Sequence, residues 1–322
     1  MRILVTGAAG MLGSALVPAL VKVGHVVTPT DIDLRDPRPW PQLGGAQAPI
    51  GNLDVRSRDD IAAWFERARP EFVVHLAAET DVDVCERDVD HAYLTNAIAT
   101  KHVAIACRAA NVPLAYVSTA GVFDGTKDEP YIEYDAAYPI NNYGRSKLEG
   151  EHYTQTFLDR FYVVRAGWMV GGGPKDHKFV AKILQQLATG AKTIYAVSDK
   201  LGTPTYAPDF AACFAGLIAT ESYGLYHMAC RGRGTRYDVA RKILGVLGRD
   251  DVRLEEVGSD FFKDEYPAPR PRSEMMRNLM LDLQDLNTMR DWEDALEEYL
   301  RTAFSDLGTM TSTKRELQPE RK

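Results

Sequence analysis

Arg2-Ile3-Leu4-Val5-Thr6 runs directly into Gly7-Ala8-Ala9-Gly10-Met11-Leu12-Gly13. The first part is apolar and reads as a short buried strand, while Met11, Leu12, Ala15, Leu16, Ala19, Leu20 and Val23 follow at helical spacing. Strand, glycine turn and helix in that order form the context a dinucleotide-binding fingerprint requires. Gly7 allows the tight turn, Gly10 lets backbone approach a pyrophosphate, and Gly13 lets helix and strand pack closely. The helix start, at Met11 and Leu12, offers unpaired amides and the positive end of a dipole to phosphate oxygens.

Outward from this turn, apolar runs alternate with helical patterns. Strands are expected at Ile3–Val5, Val26–Thr30, Phe72–Leu76, Leu114–Ser118, Phe161–Arg165 and Leu225–Met228, and helices near Arg58–Ala68, Asp90–Ala110 and Asn142–Leu158. That alternation predicts an α/β fold with a parallel sheet. Ile50–Val55 reads as a short third strand leading to a ligand-facing Asp54, and the Pro- and Gly-rich stretch 36–49 as a surface loop. The texture changes after Arg165. Residues 1–168, joined by about 208–228, are expected to form the main domain, and 169–207 with 229–305 a smaller lobe. Lys178–Leu187 reads as helix, Thr193–Ala196 as strand, Trp292–Phe304 as a closing amphipathic helix, and 306–322 as a disordered tail.

Ligands bind beyond the carboxyl ends of strands in an open parallel sheet. Ser118 and Thr119 end one such strand, so they point where the glycine turn points. Asp31 closes the second strand; a carboxylate there accepts hydrogen bonds from an adenosine ribose and repels a 2′-phosphate. NAD(H) is therefore favoured, although Asp33 competes for this role, and Arg35 and Arg38 leave NADP(H) open. Tyr143 and Lys147 lie one helical turn apart, which puts a phenol and an ammonium on one helix face. A cation beside a phenol favours the phenolate, making a tuned acid or base.

The net charge of −7 argues against a nucleic-acid-binding surface. Cys85, Cys107, Cys213 and Cys230 show no metal spacing and the histidines are scattered, so no metal site is expected. Without a long apolar stretch, neither a membrane span nor a signal peptide is expected, and the composition suits a cytoplasmic protein.

Together, Gly7-x-x-Gly10-x-x-Gly13, Ser118-Thr119 and Tyr143-x-x-x-Lys147 resemble the extended short-chain dehydrogenase/reductases. Val74–Asp83, Val122-Phe123-Asp124-Gly125, Asn142–Glu151, Arg165-Ala166-Gly167-Trp168, Leu201–Tyr206, Gly224–Met228 and Pro267–Arg272 resemble the branch typified by dTDP-4-dehydrorhamnose reductase. The resemblance implies a Rossmann-type doubly wound sheet with a smaller C-terminal substrate-binding α/β lobe, commonly as a homodimer. It implies NAD(P)H-dependent reduction of the 4-keto group of a nucleoside-diphosphate 4-dehydro-6-deoxy sugar. In it, Tyr143 is the acid/base, Lys147 lowers its pKa and contacts the nicotinamide ribose, and Thr119 holds the substrate oxygen. Asp54 and Val55 would flank the adenine, while Ala77, Ala78 and Asn96 would line the cofactor groove. Thr80, Ser118 and Trp168 fall on the sugar side, Phe179 and Val180 near the base, and Arg270 or Arg272 near the diphosphate.

The chain also departs from the pattern. Reductases of this branch continue Ser-Thr with an acidic residue and a tyrosine, whereas this chain has Ala120-Gly121. That speaks against a 4,6-dehydratase and resembles some 4-epimerases, so an NAD-dependent nucleotide-sugar 4-epimerase is the alternative. A non-catalytic regulatory subunit is a third reading, weakened by intact Thr119, Tyr143 and Lys147. The basic run Arg231–Arg236 reads as a surface loop, with a diphosphate contact as its lesser reading.

Overall fold

The computed structural model describes residues 1–34, 50–173 and 176–304. The expected loop 36–49, the tail 306–322, and Arg35 and Arg38 lie outside the described residues. Strands β1 (Arg2–Thr6), β2 (Val26–Asp31), β3 (Gly51–Asn52), β4 (Phe72–His75), β5 (Leu114–Thr119), β6 (Phe161–Ala166) and β7 (Gly224–Met228) form one parallel sheet. Their order is β7-β6-β5-β4-β1-β2-β3.

A parallel sheet needs cover on both faces, and side chains along a strand alternate between them. The sequence supplies this residue by residue. Ile3 and Val5 join a core with Leu16 and Leu20 of helix α1 (Met11–Lys22), whereas Leu4 between them joins Ile61 of α2 (Arg58–Ala68) and Val103 and Cys107 of α3 (Ala99–Ala110). Val74 and Val73 divide in the same way, as do Ala115 and Leu114. Each such large aliphatic side chain contributes ~1.5–3 kcal/mol of burial. The chain steps from β1 out to β3, then returns to β4 on the other side of β1. The sheet is thus the doubly wound Rossmann type, and its ligand crevice opens where the order reverses, above β1 and β4.

The remaining helices are α4 (Asn142–Phe157), α5 (Phe179–Ala188), α6 (Ala207–Ile218), α7 (Arg236–Val246) and α8 (Trp292–Ala303), besides short turns. In α8, Trp292, Ala295, Leu296, Tyr299 and Leu300 are buried at the spacing of one helix face. They belong to the same core as Ile3, together with Val180 and Ile183 of α5 and Val239 of α7.

Three details differ from the sequence reading. The stretch 50–55 is strand only at Gly51–Asn52. The helix expected over Asp90–Ala110 is broken into Val89–Tyr93, a π turn at Leu94–Ile98, and α3. The strand expected at Thr193–Ala196 is present as Thr193–Val197, but its partner Arg253–Val257 was missed, as were the pairs of Trp168–Val170 with Pro204–Tyr206 and of Leu201–Gly202 with both Gly234–Thr235 and Ser273–Glu274. Arg-Leu-Glu-Glu-Val carries too little apolar alternation to announce a strand, and two-residue strands leave no periodic signal. Among the described residues, no helix is long and apolar enough to cross a membrane.

Candidate active site

A cleft of about 1760 Å³ opens at the carboxyl ends of the strands, lined on one side by Gly7, Gly10, Met11, Leu12, Gly13 and Asp31. Gly7 has φ +68, and a Cβ there would come within 2.5 Å of the Ala77 amide nitrogen, so the loops after β1 and β4 can meet only at glycine. Gly10 is different: a Cβ would find nothing nearer than the Gly7 carbonyl at 3.4 Å, which leaves this backbone face open. Gly10 is also the N-cap of α1, and no side chain caps the first turn. Open backbone above uncapped amides fits a pyrophosphate.

Asp31 sits at the tip of β2 and accepts from the Ala9 amide at 2.8 Å and the Asp33 amide at 3.0 Å. Its carboxylate therefore braces the glycine turn while lining the cleft. Asp54 and Val55 line the same end, with Asp54 held in a fork by Arg56 at 2.7–3.1 Å. The guanidinium holds the Asp54 carboxyl below the usual range. Ala77 and Ala78 line the cleft. Asn96 does not. It is fully buried in the π turn, accepts from the Glu79 amide at 2.9 Å and donates to the Glu79 carbonyl and Ser146 Oγ. It clips the post-β4 loop to α4 from beneath.

Helix α4 starts at Asn142 because Asn141 caps it, accepting from the Gly144 amide at 2.8 Å. A Cβ on Gly144 would collide with the Gly121 carbonyl, so this glycine lets α4 lie against the turn after β5. The close approach brings the Tyr143 phenol beside the Thr119 hydroxyl. Lys147, one turn on, donates to the Val117 carbonyl at 2.8 Å and lies 4.2 Å over the Tyr116 ring. A further turn along, buried Glu151 pairs with Arg165 at 2.7 Å and accepts from Ser118 Oγ at 2.5 Å. Ser118 lines the cleft, but its hydroxyl is spent on Glu151. The Tyr143, Lys147, Glu151 stripe repeats every four residues, a spacing that could have flagged Glu151.

Burial pushes the Tyr143 phenol up to about 12, opposed by the Thr119 hydroxyl beside it. Burial pulls Lys147 down to about 7, against the attraction of Glu151. The Lys147 ammonium is turned to a backbone carbonyl, and burial is the largest influence on the Tyr143 phenol. A protonated phenol is the form that donates a proton.

The opposite wall carries Trp168, Phe179, Arg236, Arg270 and Glu274. Trp168 Nε1 donates to Glu274 Oε2 at 2.8 Å, and the Arg236 guanidinium lies 3.8 Å over the Trp168 ring. Thr80 lines the cleft and accepts from Lys178 Nζ at 3.1 Å. Val180 lies buried in the core beneath Phe179 rather than in the wall. Arg270 is spent on Asp83 and the Ala268 carbonyl, and Arg272 points away to Asp128 at 2.6 Å. Glu274 was missed as a site residue, and Arg236 was reached only through the lesser, diphosphate-contact reading of the Arg231–Arg236 run. The Arg231–Arg236 run is not a loop to its end, because Gly234–Thr235 is strand and Thr235 with Asp238 forms a capping box that starts α7. The Thr-x-x-Asp spacing was the available signal.

The sequence profile described as "RmlD substrate binding domain" matches residues 1–304. The chain is 32% identical over 299 residues to dTDP-4-dehydrorhamnose reductase of Mycolicibacterium smegmatis, covering 92% of this chain and 84% of that protein. It is 33% identical over 301 residues to dTDP-4-keto-6-deoxy-D-glucose reductase of Streptomyces niveus, covering 92% and 96%. The crystal structure of dTDP-4-dehydrorhamnose reductase from Bacillus anthracis in complex with NADP superposes with a TM-score of 0.82 at 30% identity, covering 93% of this chain and 98% of that one.

Proposed function

We propose that this chain, which belongs to the RmlD substrate binding domain family, reduces the 4-keto group of a dTDP-linked 4-dehydro-6-deoxy sugar with NAD(P)H. One observation carries the reading. The Tyr143–Thr119 hydroxyl pair and the uncapped glycine turn open onto a single cleft, so an acid and a dinucleotide cradle face the same space. The dinucleotide supplies the hydride when bound. Thr119 and Tyr143 hold the carbonyl oxygen, and Tyr143 passes its proton to that oxygen as negative charge develops there. Lys147, fixed by the Val117 carbonyl beneath the site, contributes positive charge while Glu151 and Arg165 hold the helix stripe in place.

In this reading residues 1–168 with 208–228 hold the dinucleotide, and 169–207 with the segment after 229 hold the sugar nucleotide. Asp31 at the ribose end favours NAD(H) over NADP(H). The test mixes enzyme, dTDP-4-dehydrorhamnose and NADH or NADPH, and follows reduced-nicotinamide absorbance beside product. Equimolar loss supports the reductase. Inversion at C4 of a 4-hydroxy dTDP-sugar with no net loss of reduced nicotinamide would assign a 4-epimerase, and no turnover of the 4-keto sugar would overturn the reading.

A further inference from the structure

The small residues Ala120 and Gly121 leave room beside Thr119, and the structure shows what reaches that room. A Cβ on Gly121 would have Thr119 Oγ1 at 3.4 Å and Glu274 Oε1 at 3.5 Å as its nearest neighbours. A carboxylate from the Ser273–Glu274 strand thus arrives beside the catalytic threonine, and its charge is felt by Tyr143. Glu274 Oε2 is taken by Trp168 Nε1, whereas Oε1 makes no hydrogen bond among the described residues. Burial lifts the Glu274 carboxyl above its usual range, against the Trp168 hydrogen bond and the charges of Arg236, Arg270 and Lys200.

Arg236 presents the complementary case. Its guanidinium is stacked on Trp168 and lies 5.2 Å from the Phe179 ring, yet it donates no hydrogen bond among the described residues. Burial brings it down to about 10, with Glu274 pulling the other way. Arg270 and Arg272, by contrast, have their donors committed to Asp83 and Asp128. An arginine fork with all donors unspent in a half-buried wall is matched to oxygens supplied from outside the chain. It stands between Trp168, at the reacting end, and Phe179 farther along the wall.

We infer that Glu274 and Arg236, mounted on the edge and the face of Trp168, form the site that reads the sugar nucleotide. Glu274 Oε1 accepts from a sugar hydroxyl next to the reacting carbonyl, in the space left open at Ala120 and Gly121. Arg236 binds the diphosphate, the task sequence resemblance gave to Arg270 or Arg272. The inference rests on the proposed reductase reading.

Two conservative substitutions separate the roles. Glu274→Gln keeps the shape and an acceptor for Trp168 Nε1, and Arg236→Lys keeps a cation but loses the fork. Affinity for dTDP alone, KM for the dTDP-4-keto sugar, and NADH affinity are measured for each, with melting temperature as a folding control. Arg236→Lys is expected to weaken dTDP and the whole nucleotide sugar alike, by about tenfold. Glu274→Gln is expected to leave dTDP binding unchanged and raise KM for the whole substrate about tenfold. NADH affinity stays constant in both. Glu274→Asp, which withdraws the carboxylate by one methylene, must show the same selective loss. Unchanged dTDP affinity in Arg236→Lys, or unchanged KM in both Glu274 variants, overturns the inference. Wild-type turnover keeps the two levels apart: an inactive wild type removes the reductase reading, while an active wild type with unaffected variants removes this inference alone.

Discussion

The two walls of the cleft are made from different materials. The dinucleotide wall is mostly backbone: open glycine at 10, uncapped amides at the start of α1, and one carboxylate, Asp31, bracing the turn. The opposite wall is made of long side chains from three separate segments, with Arg236 stacked on Trp168 and Glu274 hydrogen-bonded to it. Backbone recognition needs a fixed local conformation, so its signature stays contiguous in the chain. Side-chain recognition needs only that tips converge, so its parts can come from anywhere the fold brings together.

Tyr143 lies between the walls and tests whether chemistry separates from either kind of binding. Tyr143→Phe should lower kcat by ~10²–10⁴-fold with NAD(P)H and dTDP affinities unchanged, read by steady-state kinetics and ligand titration. Near-normal turnover would remove the phenol from proton transfer. The backbone wall is tested at Gly7, where alanine meets both a positive φ and the Ala77 amide. Strain of about 1–3 kcal/mol is expected, seen as a lower melting temperature and weaker NADH binding, with dTDP binding in the folded fraction preserved. Equal losses for both ligands would mean that the two walls are not separable.

The contrast also explains what could be read from the sequence. Six strand positions around β1 followed from apolar runs, and Gly7, Gly10, Gly13, Thr119 and Tyr143 all line the cleft, because each belongs to a local motif. Asn96 matched a family pattern, but burial in a π turn gave it a clipping role that no linear spacing reveals. Arg270 and Arg272 looked suited to phosphate, yet Asp83 and Asp128 occupy them. Whether a charge is already paired is a property of three-dimensional neighbours. The pKa of Tyr143 is a similar case, since the neighbouring cation was visible in the sequence and the desolvation was not.

A smaller effect probes the carboxylate that braces the backbone wall. Asp31→Ala removes the carboxylate at the ribose end and should shift the NADPH/NADH ratio of kcat/KM toward NADPH by roughly tenfold, the scale of one lost charge repulsion or hydrogen bond. An unchanged ratio would mean that Asp31 serves only to brace Ala9 and Asp33.

The gentlest test is pH, because two strands of the sheet, β4 and β7, each bury a histidine. His75, at the end of β4, is hydrogen-bonded with Thr6 Oγ1 at 2.7 Å and Thr100 Oγ1 at 3.1 Å, and His227, on β7, with the Arg277 carbonyl at 3.2 Å. Burial brings each down to about 3 from 6.5, with Lys147 near the first and Arg165 near the second pushing the same way. Between those values the unfolded chain binds protons that the folded chain refuses. Stability from these groups is therefore complete above about pH 6.5 and drains away as pH falls toward 3. Urea unfolding across this window should show proton uptake, and His227→Phe should reduce it by about one proton while leaving the His75 share intact. Phe123 packs edge-on to His227 at 5.6 Å, so an aromatic replacement keeps the ring contact and isolates the titration. If the slope of stability against pH is the same in the variant, His227 takes up its proton in the folded state, and burial does not keep it neutral.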